Sequence, residues 1–496
     1  MPNADPPVVT GLTGPQKSGA VRLVMLACLI DYAGVGMIRT LMPYYVLRLV
    51  PGSGWSNASL LGSLETAYGA GQMLGAVVMG RLSDLQGRRM VLLLSFTGAA
   101  CGYSLTAVAT TPALLLVSRV PVGLAKQTVT VSRAIIADCC DAGRERSASF
   151  AKMIAAIGVG YSIGPLAGSW LADATHDTVP AFVAATLFVL LGVLVFVALP
   201  ETSPIGTIGK QLQQVDLSFP DKTPDQEDAE RVPGARTRGK PCDILAGWRA
   251  LFKSRGLIRV VGATLLPEIA LVMHSTTVLA TLVVHTLQKD KSYMGSLQAA
   301  MAGCASLVGG FFIPQLLKIT APDSPQGDVD GGRLSWRQRL PPDARLLIAA
   351  DILYGLCTLS LAVWPSSTTV VAGALPMGAA IAVLRSSPAS WASQQVDADN
   401  QGAAMGFLGA YSTSLYVSSL CASEREFVPR FKSGPDRIAD LASSMCRVLA
   451  PITAGTLIDK VGLWAAFALE SVLCFVGAIL VIWCGVAAST SKPKHQ

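Results

Sequence analysis

The stretch Gly80-Arg-Leu-Ser-Asp84-Leu-Gln-Gly87-Arg88-Arg89 joins two long apolar segments and decides the interpretation of the fold. Its glycines allow a tight turn, and Asp84 can cap the following helix or pair with an arginine across a helix end. Its arginines are typical of a connection on the cytoplasmic side of a membrane. The stretch therefore predicts a gate loop that latches helix bundles together in one state. The alternative is an ordinary positively charged turn.

The composition around this loop is that of an integral membrane protein. Of the 496 residues, 51% are hydrophobic and only 14% are charged, whereas a soluble domain carries about 25% charged residues. These values exclude disordered, collagen-like and nucleic-acid-binding chains. The eleven cysteines form neither a C-x-x-C pair nor a zinc spacing, so we expect no disulfide framework and no metal site.

Hydropathy predicts twelve membrane helices, since about 20 apolar residues cross a bilayer. They are expected near 22–48, 59–80, 90–108, 112–136, 149–172 and 180–199, then near 257–285, 293–317, 344–363, 368–392, 402–416 with 441–458, and 463–486. The predicted fold is all-α and polytopic, with six-helix bundles at 21–200 and 256–488. Polar segments at 1–20, 201–255 and 489–496 are expected to be an N-terminal tail, a linker and a C-terminal tail.

The distribution of Lys and Arg predicts the orientation. These residues concentrate in the connections after spans two, four, six and eight and are almost absent after spans three, five and nine. Both termini, the linker and the loop 80–89 are therefore expected in the cytoplasm. The net charge of +7 mostly expresses this bias, so it indicates a lipid bilayer and no nucleic-acid partner. The membrane is either the plasma membrane or an endomembrane.

The two halves resemble each other in sequence. Pro121-Val-Gly123 in span four recurs 255 residues later as Pro376-Met-Gly378 in span ten. Parallel repeats of this kind place a transporter's substrate site at their interface. Pro165 in span five lies 44 residues after Pro121, but its counterpart Pro451 lies 75 residues after Pro376. The second half therefore carries about thirty extra residues.

We locate the excess near Thr413–Ser443, which contains eight charged residues. Each charge costs about 2.5–3.5 kcal/mol at the centre of a membrane helix, so this segment cannot lie within a lipid-facing span. Two explanations remain. Either a genuine loop splits span eleven, or the segment is a retained intron or gene-model error that is absent from the mature protein.

Span five contains small residues at four-residue spacing, Gly160-x-x-x-Gly164-Pro165-x-x-Gly168. Such residues let two helix backbones approach closely, and Pro165 predicts a kink. A sealed contact there would hinder the passive leak that an exchanger must prevent. The alternative is plain helix packing, and the two interpretations are compatible.

Ionisable residues within spans are candidates for function because their burial is expensive. Asp31 lies about 13 Å into span one at 1.5 Å per residue, close to the middle of the membrane. Desolvation favours the neutral form of a carboxyl group, so Asp31 is predicted to take up and release protons. Alternatively, it is a permanent structural partner of Arg39 or Arg119.

Other polar residues are predicted to line a substrate cavity. Glu65, Tyr68 and Gln72 share one face of span two. Lys126 follows Arg119 by seven residues, and Arg133 follows Lys126 by seven, so all three cations are expected on one face of span four. Such a face requires acidic partners, water or an anionic substrate. His274 can move protons or be a structural histidine. The expected cavity residues are Arg39, Glu65, Tyr68, Gln72, Lys126 and His274.

These motifs resemble those of the major facilitator superfamily. The stretch 80–89 resembles its signature loop, and Arg119-x-x-x-Gly123 resembles its arginine motif for proton coupling. The span-five motif resembles that of the drug:proton antiporter branch. Asp31-x-x-Gly34-x-Gly36 resembles the first helix of that branch, although Thr40 replaces its usual first proline. Residues 118–138 are similar to the orphan transporters called major facilitator superfamily domain-containing protein nine.

The resemblance implies a secondary transporter of the multidrug and tetracycline-resistance type. It would exchange a small organic solute for protons by alternating access, with Asp31 and Arg119 in the coupling role. The chain has no Walker A loop, so we expect neither ATP-driven transport nor a cofactor, and no enzyme activity. We expect a functional monomer. Facilitated diffusion, proton symport and a non-transporting membrane receptor or scaffold remain alternatives.

Overall fold

The computed structural model of the chain describes residues 13–140, 144–202, 255–313, 315–316, 340–393 and 450–490. Secondary structure within these ranges is helical and contains no strand. Most of the predicted linker and the excess segment 413–443 lie outside the described residues. The predicted spans that fall within the described ranges are helical there, apart from a break in span four, so the all-α membrane fold is confirmed.

The N-terminal half contains the helices α1 (Gly14–Leu49), α2 (Asn57–Gln86), α3 (Arg88–Ala107), α4 (Pro112–Ala125), α5 (Thr128–Cys139), α6 (Arg144–Ala174) and α7 (Val179–Ala198). The C-terminal half contains α8 (Arg255–Met273), α9 (Lys291–Leu307), α10 (Pro342–Val363), α11 (Ser367–Ser393), α12 (450–460) and α13 (Leu463–Thr490). Within the described parts of the chain, nine helical segments are long and apolar enough to cross a membrane.

Among the described residues of the second half, three π-helical turns interrupt the helices. α8 continues through His274–Val278, Leu279–Thr281 and Leu282–Thr286, of which the first and last are π-helical, and α9 continues through the π turn Val308–Phe312. π turns insert an extra residue per turn and are frequent at functional sites. Their presence in the first two helices of this half marks places where the helix geometry is locally adjustable.

Span four is broken, which corrects one expectation. α4 ends at Ala125 and α5 begins at Thr128, because Lys126 has ψ 72°, outside the helical range. The following run Thr128-Val-Thr-Val131 consists of β-branched residues with low helix propensity. Arg119 and Arg133 therefore lie on separate helices, and the predicted single face of three cations does not exist.

The internal repeat is visible in the packing. A side chain at Gly123 of α4 would meet the carbonyl oxygen of Tyr68 in α2 at 2.5 Å, and one at Gly378 of α11 would meet that of Met301 in α9 at 2.6 Å. Both Pro-x-Gly motifs thus provide a glycine for the same kind of close contact. α2 and α9 are the second helices of the two halves, so the motifs occupy equivalent places.

The two halves meet along two antiparallel seams. In the seam between α6 and α9, a Cβ atom at Gly295 would lie 2.6 Å from the carbonyl oxygen of Pro165. In the seam between α2 and α12, a Cβ atom at Gly62 would lie 2.4 Å from the carbonyl oxygen of Pro451. These contacts are equivalent under the repeat, which confirms that Pro451 is the counterpart of Pro165.

Polar contacts join the halves at the end that carries the α1–α2 connection. Ser56 and Ser59 donate to the carboxylate of Asp459. Lys291, at the start of α9, pairs with Asp177 and lies 3.7 Å from Asp173. We name this set, Ser56, Ser59, Asp173, Asp177, Lys291 and Asp459, the closed end. It lies opposite the end that carries residues 80–89.

Candidate functional site

The first buried charge pair joins Asp31 of α1 to Lys126. The side chain of Asp31 is 1% exposed and that of Lys126 is 8% exposed. Lys126 Nζ donates to Asp31 Oδ1 and lies 4.7 Å from the ring centroid of Tyr32. Asp31 Oδ2 has no hydrogen-bond partner among the described residues. The break between α4 and α5 therefore gives Asp31 a lysine partner, in place of the two arginines that the sequence suggested.

Arg39, two turns further along α1, is the centre of a second polar group. Its Nη1 donates to the Tyr161 hydroxyl at 2.8 Å, and its Nη2 donates to the Ser275 carbonyl at 3.4 Å. Glu65 Oε2 lies 3.9 Å from the same Nη2. We name these residues, Arg39, Glu65, Tyr161 and Ser275, the Arg39 network. It joins α1, α2 and α6 of the first half to the π turn after α8.

The predicted polar face of α2 is present. Gln72 Nε2 donates to the Tyr68 hydroxyl at 2.7 Å, and Glu65 lies on the same side, beside Arg39. Tyr161 and Ser275 were not predicted as site residues. Tyr161 directly follows Gly160 of the span-five motif, so its position beside that motif could have identified it as a site residue. Ser275 contributes its backbone carbonyl, and no feature of the sequence marks it.

Arg119 of α4 is buried without a carboxylate. It donates to the hydroxyls of Thr106 and, at 3.2 Å, Ser118, and its guanidinium lies 5.8 Å from the ring centroid of Tyr103. Only 7% of the residue is exposed, and no acidic group among the described residues lies within ion-pair distance. Among the described residues, its direct partners are therefore hydroxyls and an aromatic face.

The glycines of the span-five motif place α6 directly against α1. Cβ atoms at Gly160 and Gly164 would each lie 2.2 Å from a backbone oxygen, those of Leu29 and Ala33, and one at Gly168 would lie 2.5 Å from Met37. The constant offset along both chains shows that the two helices run parallel. The close approach expected from small residues at this spacing is thus observed.

The loop 80–89 is organised differently from the expectation. Gly80 and Asp84 both lie within α2. Gly87, with φ +97°, is the residue before α3. The cap is provided by Glu201, whose carboxylate accepts hydrogen bonds from the backbone N–H groups of Arg88 and Arg89 at 2.9 and 3.3 Å.

The two arginines of this loop tie helices of the same half together. Arg88 lies 3.4 Å from Asp138 at the end of α5 and donates to Ser83 at 2.8 Å. Arg89 donates to the carbonyl oxygen of Phe196 at the end of α7, and its guanidinium lies 4.9 Å from that residue's ring centroid. In this state, the arginine contacts seen among the described residues stay within the N-terminal half.

His274 lies away from Asp31 and is completely enclosed. Its Nδ1 is 3.0 Å from Glu470 Oε2 of α13. It therefore faces a neighbouring helix in this state, and Glu470 is a partner that the sequence did not indicate. Across the parts of the chain that the structure describes, no group of three His, Cys, Asp or Glu side chains is placed to hold a metal ion.

Two helical halves that meet along two seams, with charged side chains buried inside each half, have the architecture of a multi-pass membrane protein. The family model of the Major Facilitator Superfamily matches residues 24–417. The chain therefore belongs to the Major Facilitator Superfamily, as its motifs predicted, and is a multi-pass membrane protein.

Individual relatives agree with this assignment. The chain is 39% identical over 158 residues to the tetracycline resistance protein, class C, of Escherichia coli, which covers 31% of this chain and 39% of the relative. It is 31% identical over 192 residues to human solute carrier family 67 member A1, and the match covers 38% of this chain and 44% of the relative. The chain thus spans about two fifths of the length of these relatives.

Among solved structures, the human organic anion transporter MFSD10 (TETRAN) has the same fold. Its TM-score is 0.56 at 20% sequence identity, with 94% of this chain and 100% of that chain covered. The likeness extends over both halves and supports the major facilitator architecture.

Proposed function

We propose that the protein exchanges protons for a small organic solute by alternating access. The observation that carries this proposal is the buried pair of Asp31 and Lys126, placed where α4 breaks. A buried carboxylate is stable only while its partner is present. A proton on Asp31 removes the attraction, so that Lys126 and the start of α5 are free to move.

Exchange follows if the proton and the solute compete for Asp31. When Asp31 is ionised, Lys126 holds its Oδ1, and its Oδ2, which has no partner among the described residues, can accept a hydrogen bond from a donor group of the solute. When Asp31 holds a proton, this acceptor is lost, so the proton and the solute exclude one another. One elementary charge that crosses 100 mV is worth about 2.3 kcal/mol, so proton entry provides a usable driving force for the return step.

Arg119 and the Arg39 network form the second part of the proposed site. Among the described residues, Arg119 contacts hydroxyls and the ring of Tyr103, and the guanidinium of Arg39 is shared between Glu65 and Tyr161. An excess of cations over carboxylates favours a solute with an anionic or strongly accepting group. We assign coupling to Asp31 and Arg119. Solute contacts are assigned to Arg39, Glu65, Tyr68, Gln72 and Lys126.

The closed end indicates the state of the cycle. The distribution of Lys and Arg predicts that the loop 80–89 faces the cytoplasm, and the closed end lies opposite this loop. We infer an inward-facing state with both termini in the cytoplasm. The two bundles at 21–200 and 256–488 lie in one chain and provide both seams, so a monomer suffices for function.

The relatives support the exchange mechanism. Several curated relatives are tetracycline resistance proteins, and the motifs of spans one and five resemble those of drug:proton antiporters. Within the superfamily we place the chain nearest the orphan group called major facilitator superfamily domain-containing protein nine, on residues 118–138. A facilitator or a symporter would use the same fold, as would a receptor that no longer transports.

Proteoliposomes with a trapped pH indicator separate these alternatives. Tetracycline and fluorescein, a small organic anion, are the probe solutes, each tested with and without a pH gradient. An antiporter moves protons opposite to the solute, a symporter moves them together, a facilitator moves none, and a receptor moves neither.

Asp31→Asn is expected to abolish proton-driven accumulation while solute exchange at equal pH partly persists. Glu145→Gln, which changes an exposed carboxylate on α6, is the matched control and should behave as wild type. Accumulation against a gradient at the wild-type level in the Asn variant would show that Asp31 is not the coupling site.

A further inference from the structure

A second buried titratable pair, His274 and Glu470, lies in the C-terminal half. The two side chains are 1% and 0% exposed, and their facing atoms are 3.0 Å apart. The outer atoms, His274 Nε2 and Glu470 Oε1, have no hydrogen-bond partner among the described residues. With a neutral ring and an ionised carboxylate, the pair would carry a net negative charge without further donors, and such a state is costly in an apolar interior. One added proton removes that net charge.

The packing of α8 against α13 keeps His274 and Glu470 opposite each other. A Cβ atom at Gly477 of α13 would lie 2.4 Å from the ring of Pro267 in α8, so only glycine fits there. His274 follows Pro267 by seven residues, and Glu470 precedes Gly477 by seven. Seven residues are about two helical turns, and the two helices run antiparallel. His274 therefore lies on the same face of its helix as Pro267, and Glu470 lies on the same face of α13 as Gly477. The contact between Pro267 and Gly477 thus places His274 next to Glu470.

Among the described residues, Glu470 forms an ion pair with His274 and with no Lys or Arg. On α10, the ring of Tyr354 lies edge-on at 5.7 Å from His274, and its hydroxyl is unpartnered among the described residues. Asp351 on the same helix is buried, with neither carboxylate oxygen bonded within the described part of the chain. Further ionisable groups on the elements packed around the pair include Cys357 of α10, Cys474 of α13, Glu268 of α8, Arg385 of α11, Arg39 of α1 and Glu65 of α2. This environment differs from that of Asp31, which has its own lysine.

The pair is one residue away from a contact between the halves. His274 begins the π turn His274–Val278, and the Ser275 carbonyl accepts the hydrogen bond from Arg39. A π turn can relax to an α turn by passing its extra residue along the helix. A change in the attraction between His274 and Glu470 would therefore act directly on the carbonyl that binds Arg39.

We propose that His274 and Glu470 form a second proton-binding site, which communicates with the first half through Ser275 and Arg39. One proton is taken up to form an N–H or O–H bond on the pair, and its net charge changes from −1 to zero. The same proton leaves when that bond breaks, so nothing else is consumed. The role in transport rests on the proposed function, but proton binding itself does not.

Proton binding is measurable on the purified full-length protein in lipid, without any solute. Infrared difference spectra between about pH 8 and pH 6 avoid exposed carboxylates, which titrate near pH 4. We expect a carboxylic-acid C=O band that is lost in Glu470→Gln and retained in Glu145→Gln. A Gln variant whose difference spectrum equals that of the wild type would overturn the proposal.

Two further variants keep the test decisive. If Glu470→Gln does not fold, His274→Asn is measured instead, because it retains the carboxyl group of Glu470. The infrared band of Glu470 should then shift, because its hydrogen-bond partner has changed. An unshifted band contradicts the proposal. The double variant His274→Asn with Glu470→Gln can still form a hydrogen bond but cannot titrate. We expect it to halve the number of protons moved per solute, whereas an unchanged ratio shows a purely structural pair.

These outcomes are distinct from a failure of the proposed function. If Asp31→Asn retains full coupling, the assignment of the first site fails while the infrared result for Glu470 still holds. If Glu470→Gln leaves the difference spectrum unchanged, the second site fails while proton exchange through Asp31 is unaffected.

Discussion

Replacement of Gly164 by alanine tests the contact between α1 and α6. The added Cβ atom would lie 2.2 Å from the carbonyl oxygen of Ala33 and 3.0 Å from two further backbone atoms of that residue. Ordinary contact begins at 3.4 Å, so the first distance is short by about 1.2 Å. All three neighbours are backbone atoms, so no side-chain rotation relieves the clash, and the two helices must separate.

The expected cost is that of an overpacked core, about 1–3 kcal/mol. The assay is thermal unfolding of the purified protein, followed by the reactivity of its buried cysteines, together with solute-driven proton flux in proteoliposomes. Gly262→Ala is the matched control, since nothing lies within 4 Å of a Cβ atom at that position in α8. The same substitution there should be neutral or stabilise the helix by about 0.5–1 kcal/mol.

We expect Gly164→Ala to unfold at a lower temperature and to lose most of its coupled flux, because separated helices no longer seal the path between them. Equal unfolding temperatures and equal flux for the two alanine variants would refute the reasoning. A lower unfolding temperature with unchanged coupled flux would assign the glycines to packing alone.

Three further predictions follow from the loop 80–89 and the closed end. Glu201→Gln should lower the unfolding free energy by about 1 kcal/mol, because α3 loses a charged cap; Glu145→Gln, measured in the same denaturation series, should not. Asp84→Ala should slow transport without impairing folding, since the loop is expected to face the cytoplasm. Normal turnover would show that the loop determines membrane topology and has no part in transport. Lys291→Ala should loosen the closed end and speed thiol labelling of a Thr40→Cys protein, and an unchanged labelling rate would contradict the assigned role of the ion pairs.

The sequence was sufficient for the fold because the deciding signals are local. Twenty-residue apolar runs and the distribution of Lys and Arg require no knowledge of distant contacts. The Pro-x-Gly repeat, although a single short match between the halves, identified equivalent positions that the packing of Gly123 and Gly378 confirms. The break in span four was missed, although the β-branched run after Lys126 was a usable local signal.

Local sequence signals could not predict which charged residues of the site form pairs. Lys126 is 95 residues from Asp31, Glu201 is 113 residues from Arg88, and Glu470 is 196 residues from His274. Hydropathy predicts that a helix spans the membrane but not how it is rotated about its axis. Which of several buried charges form pairs depends on that rotation and on breaks such as the one at Lys126.

The repeat gives the last prediction, which concerns Thr413–Ser443. Pro165 and Pro451 place their carbonyl oxygens at 2.6 and 2.4 Å from Cβ positions of Gly295 and Gly62 in the two seams. Residue 451 is therefore fixed as the counterpart of residue 165, and about thirty residues between 376 and 451 have no counterpart in the first half. Deletion of Thr413–Ser443 removes this excess and leaves both seams intact.

We therefore expect the shortened protein to fold and transport at least as well as the full chain. A deletion of the same length at 420–450 is the control, because it removes the first residue of α12 and should impair folding. Sequencing the transcript across these codons tests whether the mature protein contains the segment. If the codons are present in all processed message and the Thr413–Ser443 deletion abolishes transport, the segment is a genuine part of span eleven, and the repeat argument, which treats it as dispensable, is wrong.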